Sequence, residues 1–176
     1  MARGWSALRI VVLAVLIALV AVLTMMVRVP IAPTRGYIHL GDAGVYFAAF
    51  LFGPTFGFLA GGLGTALADL LSGYAHWAPL SLLFHGLQGL VAAYIGYRQA
   101  ARRQALGWAI GSAIMIAGYF LAEVVLYGIG AALVELPGNA IQATAGGVVA
   151  IPLAAAIRRA YPPVDQLGAP VIWEER

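Results

Sequence analysis

Ser81, His85 and Gln88 are spaced i, i+4 and i+7, and Tyr119, Glu123 and Tyr127 are spaced i, i+4 and i+8. Each set therefore falls along one face of a helix. Asn139 and Gln142 make a third such pair, and a short polar segment adds Tyr74, His76 and Trp77. Together these residues offer aromatic faces, amides, an imidazole and a single intramembrane carboxylate. That mixture suits a flat heteroaromatic ring, which stacks on the aromatics while its edge atoms pair with the polar groups. The candidate ligand-binding set is Trp77, His85, Gln88, Tyr119, Glu123, Tyr127, Asn139 and Gln142. Catalysis would require a nucleophile beside a base, paired carboxylates or a metal cluster. The three histidines, His39, His76 and His85, are scattered in sequence, there is no cysteine, and no H-x-x-x-H or D-x-x-D occurs. Glu123 with His85 is the nearest approach to an acid–base pair. Binding without catalysis, and without a metal or cofactor, is the expectation. An intramembrane enzyme and a ligand-free structural or assembly protein are the alternatives.

The elements that must position these residues are set by composition. Of 176 residues, 62% are hydrophobic and only 10% charged, with a mean hydropathy of +0.92. A water-soluble domain carries about 25% charged residues, so bilayer is the solvent this chain fits. Apolar runs between breakers predict an all-α integral membrane protein, a single domain over 1–176. Its six transmembrane helices lie near 6–28, 41–53, 54–71, 80–97, 107–134 and 137–157. The second run holds 13 residues, about 20 Å of helix, too short to cross a core of about 30 Å comfortably. Gly53-Pro54 ends it, because proline fits the first turn of a new helix and not the interior of an old one.

Charge supplies the orientation. All ten basic residues are arginine. With the N-terminus inside, Arg3, Arg9, Arg98, Arg102, Arg103, Arg158, Arg159 and Arg176 fall on the cytoplasmic side and only Arg28 and Arg35 outside. That bias predicts N-in and C-in, and it accounts for the arginines better than nucleic-acid binding does. The polar residues then gather near the outer surface, as in a pocket open outward and closed below. On the first run, Ala7, Ala14, Ala18 and Ala21 form a small-residue stripe of the kind that lets helices approach closely. Asp42 starts the second helix, where a carboxylate accepts backbone N–H bonds, and Asp69 ends the third.

The run HLGDAGVYFAAFLFGPTFGFLAGGLGTALADLLSGY followed by APLSLLFHGLQGLVAAYIG resembles the substrate-binding S components of energy-coupling factor (ECF) vitamin transporters, in the HmpT/riboflavin-type group. The resemblance is strongest from Ile38 to Gly96. It implies a six-helix bundle in the bacterial plasma membrane that binds one vitamin or precursor from outside. It also implies docking onto a transmembrane coupling protein driven by two cytoplasmic ATPases. Ala14 and Ala18 would carry the docking contact, and Asp42 and Asp69 would anchor the loops framing the pocket. A small neutral or weakly cationic ring is expected, such as hydroxymethylpyrimidine, thiamine or a pyridoxine-like compound.

Overall fold

The structure is a computed structural model and describes residues 5–167. Arg3 and Arg176, two of the charges that set the expected orientation, lie outside that range. The elements are α1 (Ala7–Met26), β1 (Arg28–Ile31), β2 (Gly36–His39), α2 (Gly41–Phe52), α3 (Pro54–Ser72), α4 (Ala78–Gly96), α5 (Ala101–Tyr127), α6 (Ile129–Ala160) and α7 (Val164–Leu167). Five of these helices, α1, α3, α4, α5 and α6, are long and apolar enough to cross a membrane.

The second of the six expected helices is present but is not confirmed as a span. α2 has 12 residues, about 18 Å, and does not reach across the hydrocarbon. Its surroundings explain how so short a helix persists. It packs against α1, α3, α4 and α6, and ten of its residues are buried, among them Val45, Tyr46, Phe50 and Leu51. α2 is thus the core of the bundle, and its solvent is protein. Gly53 takes φ 96° at the turn and Pro54 opens α3, so the inner hairpin is as tight as the sequence suggests. α3 and α4 then cross backbone to backbone. A Cβ on Gly57 would sit 2.5 Å from the Gly89 carbonyl oxygen, so only glycines allow this approach.

Two boundaries also differ from expectation. The fifth helix stops at Tyr127, not near 134, because the chain turns at Gly128 with φ 87°. The sixth begins at Ile129 and runs through Pro137 and Pro152. Proline inside a membrane helix is tolerated where neighbouring helices re-satisfy the freed carbonyl, and the expected break at Pro137 does not occur. The third difference is the antiparallel hairpin β1–β2, pairing Arg28 with His39 and Ile31 with Gly36, in a chain expected to be wholly helical. Its turn residue Arg35 has φ 52°.

The hairpin and the α3–α4 and α5–α6 connections share one end of the bundle. At the other end, Arg98 of the α4–α5 connection donates to the Asp165 carbonyl and Arg158 pairs with Asp165 at 3.1 Å. The outer surface of the long helices carries exposed Val11 and Val15, Leu121 and Val125, and Ile141 and Val148, the apolar coat that a bilayer requires.

Candidate functional site

α2 enters the bundle from the hairpin, so Asp42 in its first turn becomes fully buried. Its carboxylate does more than face a helix start. Oδ2 accepts from Gln88 Nε2 at 2.8 Å and Oδ1 from Gln142 Nε2 at 3.1 Å, with His85 Nδ1 3.3 Å from Oδ1. Gln88 Nε2 also donates to the Tyr46 hydroxyl (2.8 Å), which shares a 2.6 Å hydrogen bond with Ser112. Gln88 Oε1 lies 2.8 Å from His85 Nδ1. Because that oxygen can only accept, the His85 proton is assigned to Nδ1. Four helices are thereby tied at one level, α2, α4, α5 and α6.

His39, from β2, completes this floor. Its Nδ1 accepts from the Gly41 amide at 3.0 Å, and its ring lies 5.3 Å from that of His85. Burial, reinforced by the positive charge His85 would carry alongside it, pushes the His39 imidazole down to about 3, so it is neutral at ordinary pH. The histidines are therefore less scattered than their sequence spacing suggests. His39, Asp42 and His85 offer ligand atoms within 4.8 Å of one another. Their facing atoms are already engaged with Gly41, Gln88 and Gln142, and the cluster serves as a hydrogen-bonded floor.

Above the floor is a narrow, partly open cavity lined by Gly36, Tyr37, His39, Asp69, Trp77, Ser81, His85, Tyr119, Glu135, Asn139 and Gln142. Trp77 and Tyr119 form its aromatic wall, with ring centroids 5.7 Å apart, and Tyr119 shares a 2.6 Å hydrogen bond with Ser81. The hairpin covers it and is fastened at three points. The Tyr37 hydroxyl donates to Asp69 Oδ1 (2.6 Å), Trp77 Nε1 donates to the Arg35 carbonyl (3.2 Å), and the His39 amide donates to Gln142 Oε1 (2.9 Å). Burial and the adjacent Asp69 carboxylate hold the Tyr37 hydroxyl above its ordinary range, so it remains a donor.

Of the residues expected to bind ligand, Trp77, His85, Tyr119, Asn139 and Gln142 line this cavity. Gln88 stands in the floor beneath it. Tyr127 packs behind Trp77 at 5.9 Å. Glu123 is fully buried beside Glu135 and Asn139, next to the lining rather than in it. Asp69 is both a fastening point for the hairpin and part of the wall. Gly36, Tyr37, His39, Asp69, Ser81 and Glu135 also line it and lie outside the ligand-binding set expected from sequence. Glu135 falls between the expected runs 107–134 and 137–157, and in the structure it lies in the second turn of α6. The alternation of Tyr37 and His39 in GYIH, a strand signature, was the available signal for the other side. Arg28 and Arg35 are exposed, and no arginine lines the cavity.

Comparison with known proteins bears on the family and the fold. The family model described as "ECF-type riboflavin transporter, S component" matches residues 4–159. The "Thiamine precursor transporter HmpT" of Lactococcus lactis subsp. cremoris is 34% identical over 86% of this chain and 88% of its own. An uncharacterised protein of Pyrococcus woesei is 38% identical over 74% of this chain and 88% of its own. Among solved structures, the S component of a bacterial ECF transporter superposes with a TM-score of 0.70 at 22% identity, covering 86% of this chain and 95% of that one. The fold agrees with that likeness, and by sequence the chain belongs to the family of ECF-type riboflavin transporter S components.

Proposed function

We propose that this chain captures a small heteroaromatic vitamin precursor, of which hydroxymethylpyrimidine is the leading candidate, and hands it to an ECF module. Family membership makes it a vitamin-type transport subunit and not an enzyme, a multi-pass protein of the cell membrane. The observation that carries the finer reading is the pairing of an aromatic wall, Trp77 and Tyr119, with edge-binding groups on His85, Asn139 and Gln142. A flat ring with nitrogen and hydroxyl substituents fits that wall and those edges. Thiamine and pyridoxine-like rings come next. The name of the Lactococcus relative supports the thiamine-precursor choice.

The pocket end is taken as outside. Arg98, Arg102, Arg103, Arg158 and Arg159 belong to the opposite end, and Arg28 and Arg35 to the pocket end, in keeping with the positive-inside bias. Ala14 and Ala18 are exposed on α1 and offer a flat strip to the membrane-embedded coupling protein, which two cytoplasmic ATPases would drive. Native mass spectrometry of gently extracted protein tests the ligand. A bound mass of a pyrimidine or related vitamin is expected. Protein that carries no such mass, and that none of these compounds stabilises against heat, would count against ligand capture.

A further inference from the structure

Most hydrogen-bond donors around the cavity are already spent on the protein. The Tyr37 hydroxyl serves Asp69, Trp77 Nε1 serves the Arg35 carbonyl, and Gln142 Nε2 serves Asp42. The Ser81 and Tyr119 hydroxyls are tied to each other, and Ser81 also to Asp69. The Asn139 amide serves Glu123. The two imidazoles differ. His39 and His85 both line the cavity, and each keeps Nε2 without a partner among the described residues.

For His39 the backbone fixes which nitrogen carries the hydrogen. Its Nδ1 lies 3.0 Å from the Gly41 amide, and a backbone N–H only donates. Nδ1 therefore holds a lone pair, and the single hydrogen of the neutral ring is assigned to Nε2. Burial keeps the ring neutral, its value pushed down to about 3. The local sequence builds this arrangement. His39 ends β2 and Gly41 opens α2. A Cβ at Gly41 would sit 2.9 Å from Nδ1 and closer still to Thr24 Oγ1. Glycine there lets the imidazole close over the helix start, with Nδ1 against the backbone and Nε2 left for the cavity.

We propose that His39 is a specificity-determining residue of the pocket, its Nε2–H a fixed donor that requires a lone pair on the ligand. The matching ligand atom is an unprotonated ring nitrogen or an oxygen. A ligand that brings its own N–H to that point sets two hydrogens against each other. The ring cannot answer by moving its hydrogen to Nδ1, because Nδ1 would then face the Gly41 N–H. His39 is only 8% exposed, so water compensates little for a mismatch, and a buried group left unpaired is the strongest basis for rejecting an analogue. This rests on the capture reading above and adds to it the polarity of one contact.

Two measurements test it. Magic-angle-spinning NMR of the full chain in lipid nanodiscs, with isotope-labelled histidine and His39 assigned by its absence from the His39→Asn spectrum, reads the hydrogen without any ligand. A bare Nδ1 and a protonated Nε2 are expected. The reverse tautomer, or hydrogens on both nitrogens, would overturn the proposal whatever the protein binds. Isothermal titration with hydroxymethylpyrimidine then compares two variants. An asparagine amide ends at the δ position, so it keeps an acceptor for Gly41 and withdraws the cavity donor. A glutamine amide ends at the ε position and does the reverse. His39→Asn should melt close to the unmodified protein and bind on the order of 10-fold more weakly, the worth of one neutral hydrogen bond. His39→Gln should melt lower yet recover most of that affinity when titrated well below its melting point. A role confined to the fold gives the opposite order, and undiminished affinity in His39→Asn would remove the contact even if the glutamine variant does not fold. If the unmodified protein shows the expected tautomer but does not bind the probe, the capture reading fails, and the ligand role of His39 fails with it.

Discussion

Asp42 occupies a helix start and would be satisfied there by backbone amides alone, yet it is the acceptor for side chains from two other helices. An Asp42→Asn change turns one acceptor into a donor facing Gln88 or Gln142. It should lower stability by about 1–3 kcal/mol, the penalty for a buried polar group left unmatched, and abolish ligand binding because Gln142 and His85 also line the pocket. Thermal unfolding in detergent, with a binding assay, checks this; an unchanged midpoint would mean that the floor contributes nothing. His39 gives a pH prediction with a definite sign. Its folded-state value of about 3 lies below the ordinary 6.5, so its contribution is complete above 6.5 and is lost as pH falls toward 3. About 2 kcal/mol should have gone by about pH 5. His39→Asn keeps an acceptor for the Gly41 amide and should flatten the acid limb of a midpoint-against-pH curve. An equally steep limb would assign the effect elsewhere. Glu123 is conspicuous in the sequence because it lies inside an apolar run, whereas Glu135 is hidden by the proline two residues on, Pro137. The difference lies in chain context, since both acids are buried in the same region.

At the level of elements, the short second helix was legible from its length and from Gly53-Pro54. What one sequence could not convey is that α2 is enclosed by four other elements, because that is a property of packing and not of composition. Pro137 misled in the opposite direction. In water a proline stops a helix, but inside a bundle the freed carbonyl can be re-satisfied and the helix continues. The β1–β2 hairpin escaped notice because its strands are four residues each, too short for alternation to stand out. The α3–α4 crossing supplies the third prediction. Gly57→Ala places a methyl 2.5 Å from the Gly89 carbonyl oxygen, a backbone atom with nowhere to move. Stability should fall by about 1–3 kcal/mol. Gly73→Ala, where a Cβ meets nothing within 4 Å but φ is 86°, isolates the cost of the left-handed backbone for comparison. A smaller loss at Gly57 than at Gly73 would mean that the helices simply slide apart.

For the whole molecule, the docking strip proposed on α1 and the proposed binding pocket are separable. Ala14→Trp and Ala18→Trp add bulk to an exposed strip, so folding and ligand affinity should be preserved while uptake in cells is abolished. Unimpaired uptake by both variants would remove α1 from the partner contact. The two surfaces nonetheless share one stretch of backbone. α1 passes through Val27 alone into β1, and β2 passes through Leu40 alone into α2. If α1 makes the partner contact proposed above, the cover of the pocket is the far arm of a lever whose near arm is that strip. α1 has 20 residues, and tilting a rigid rod of about 30 Å by about 10° carries its tip roughly 5 Å. The hydrogen bonds that fasten the hairpin tolerate a displacement of only about 0.5 Å. Hydrogen exchange at the hairpin amides should accordingly rise when the partner is bound and stay low in Ala14→Trp. A partner packed along α1 within the bilayer would thus unlatch a compartment at the outer end without ever touching it.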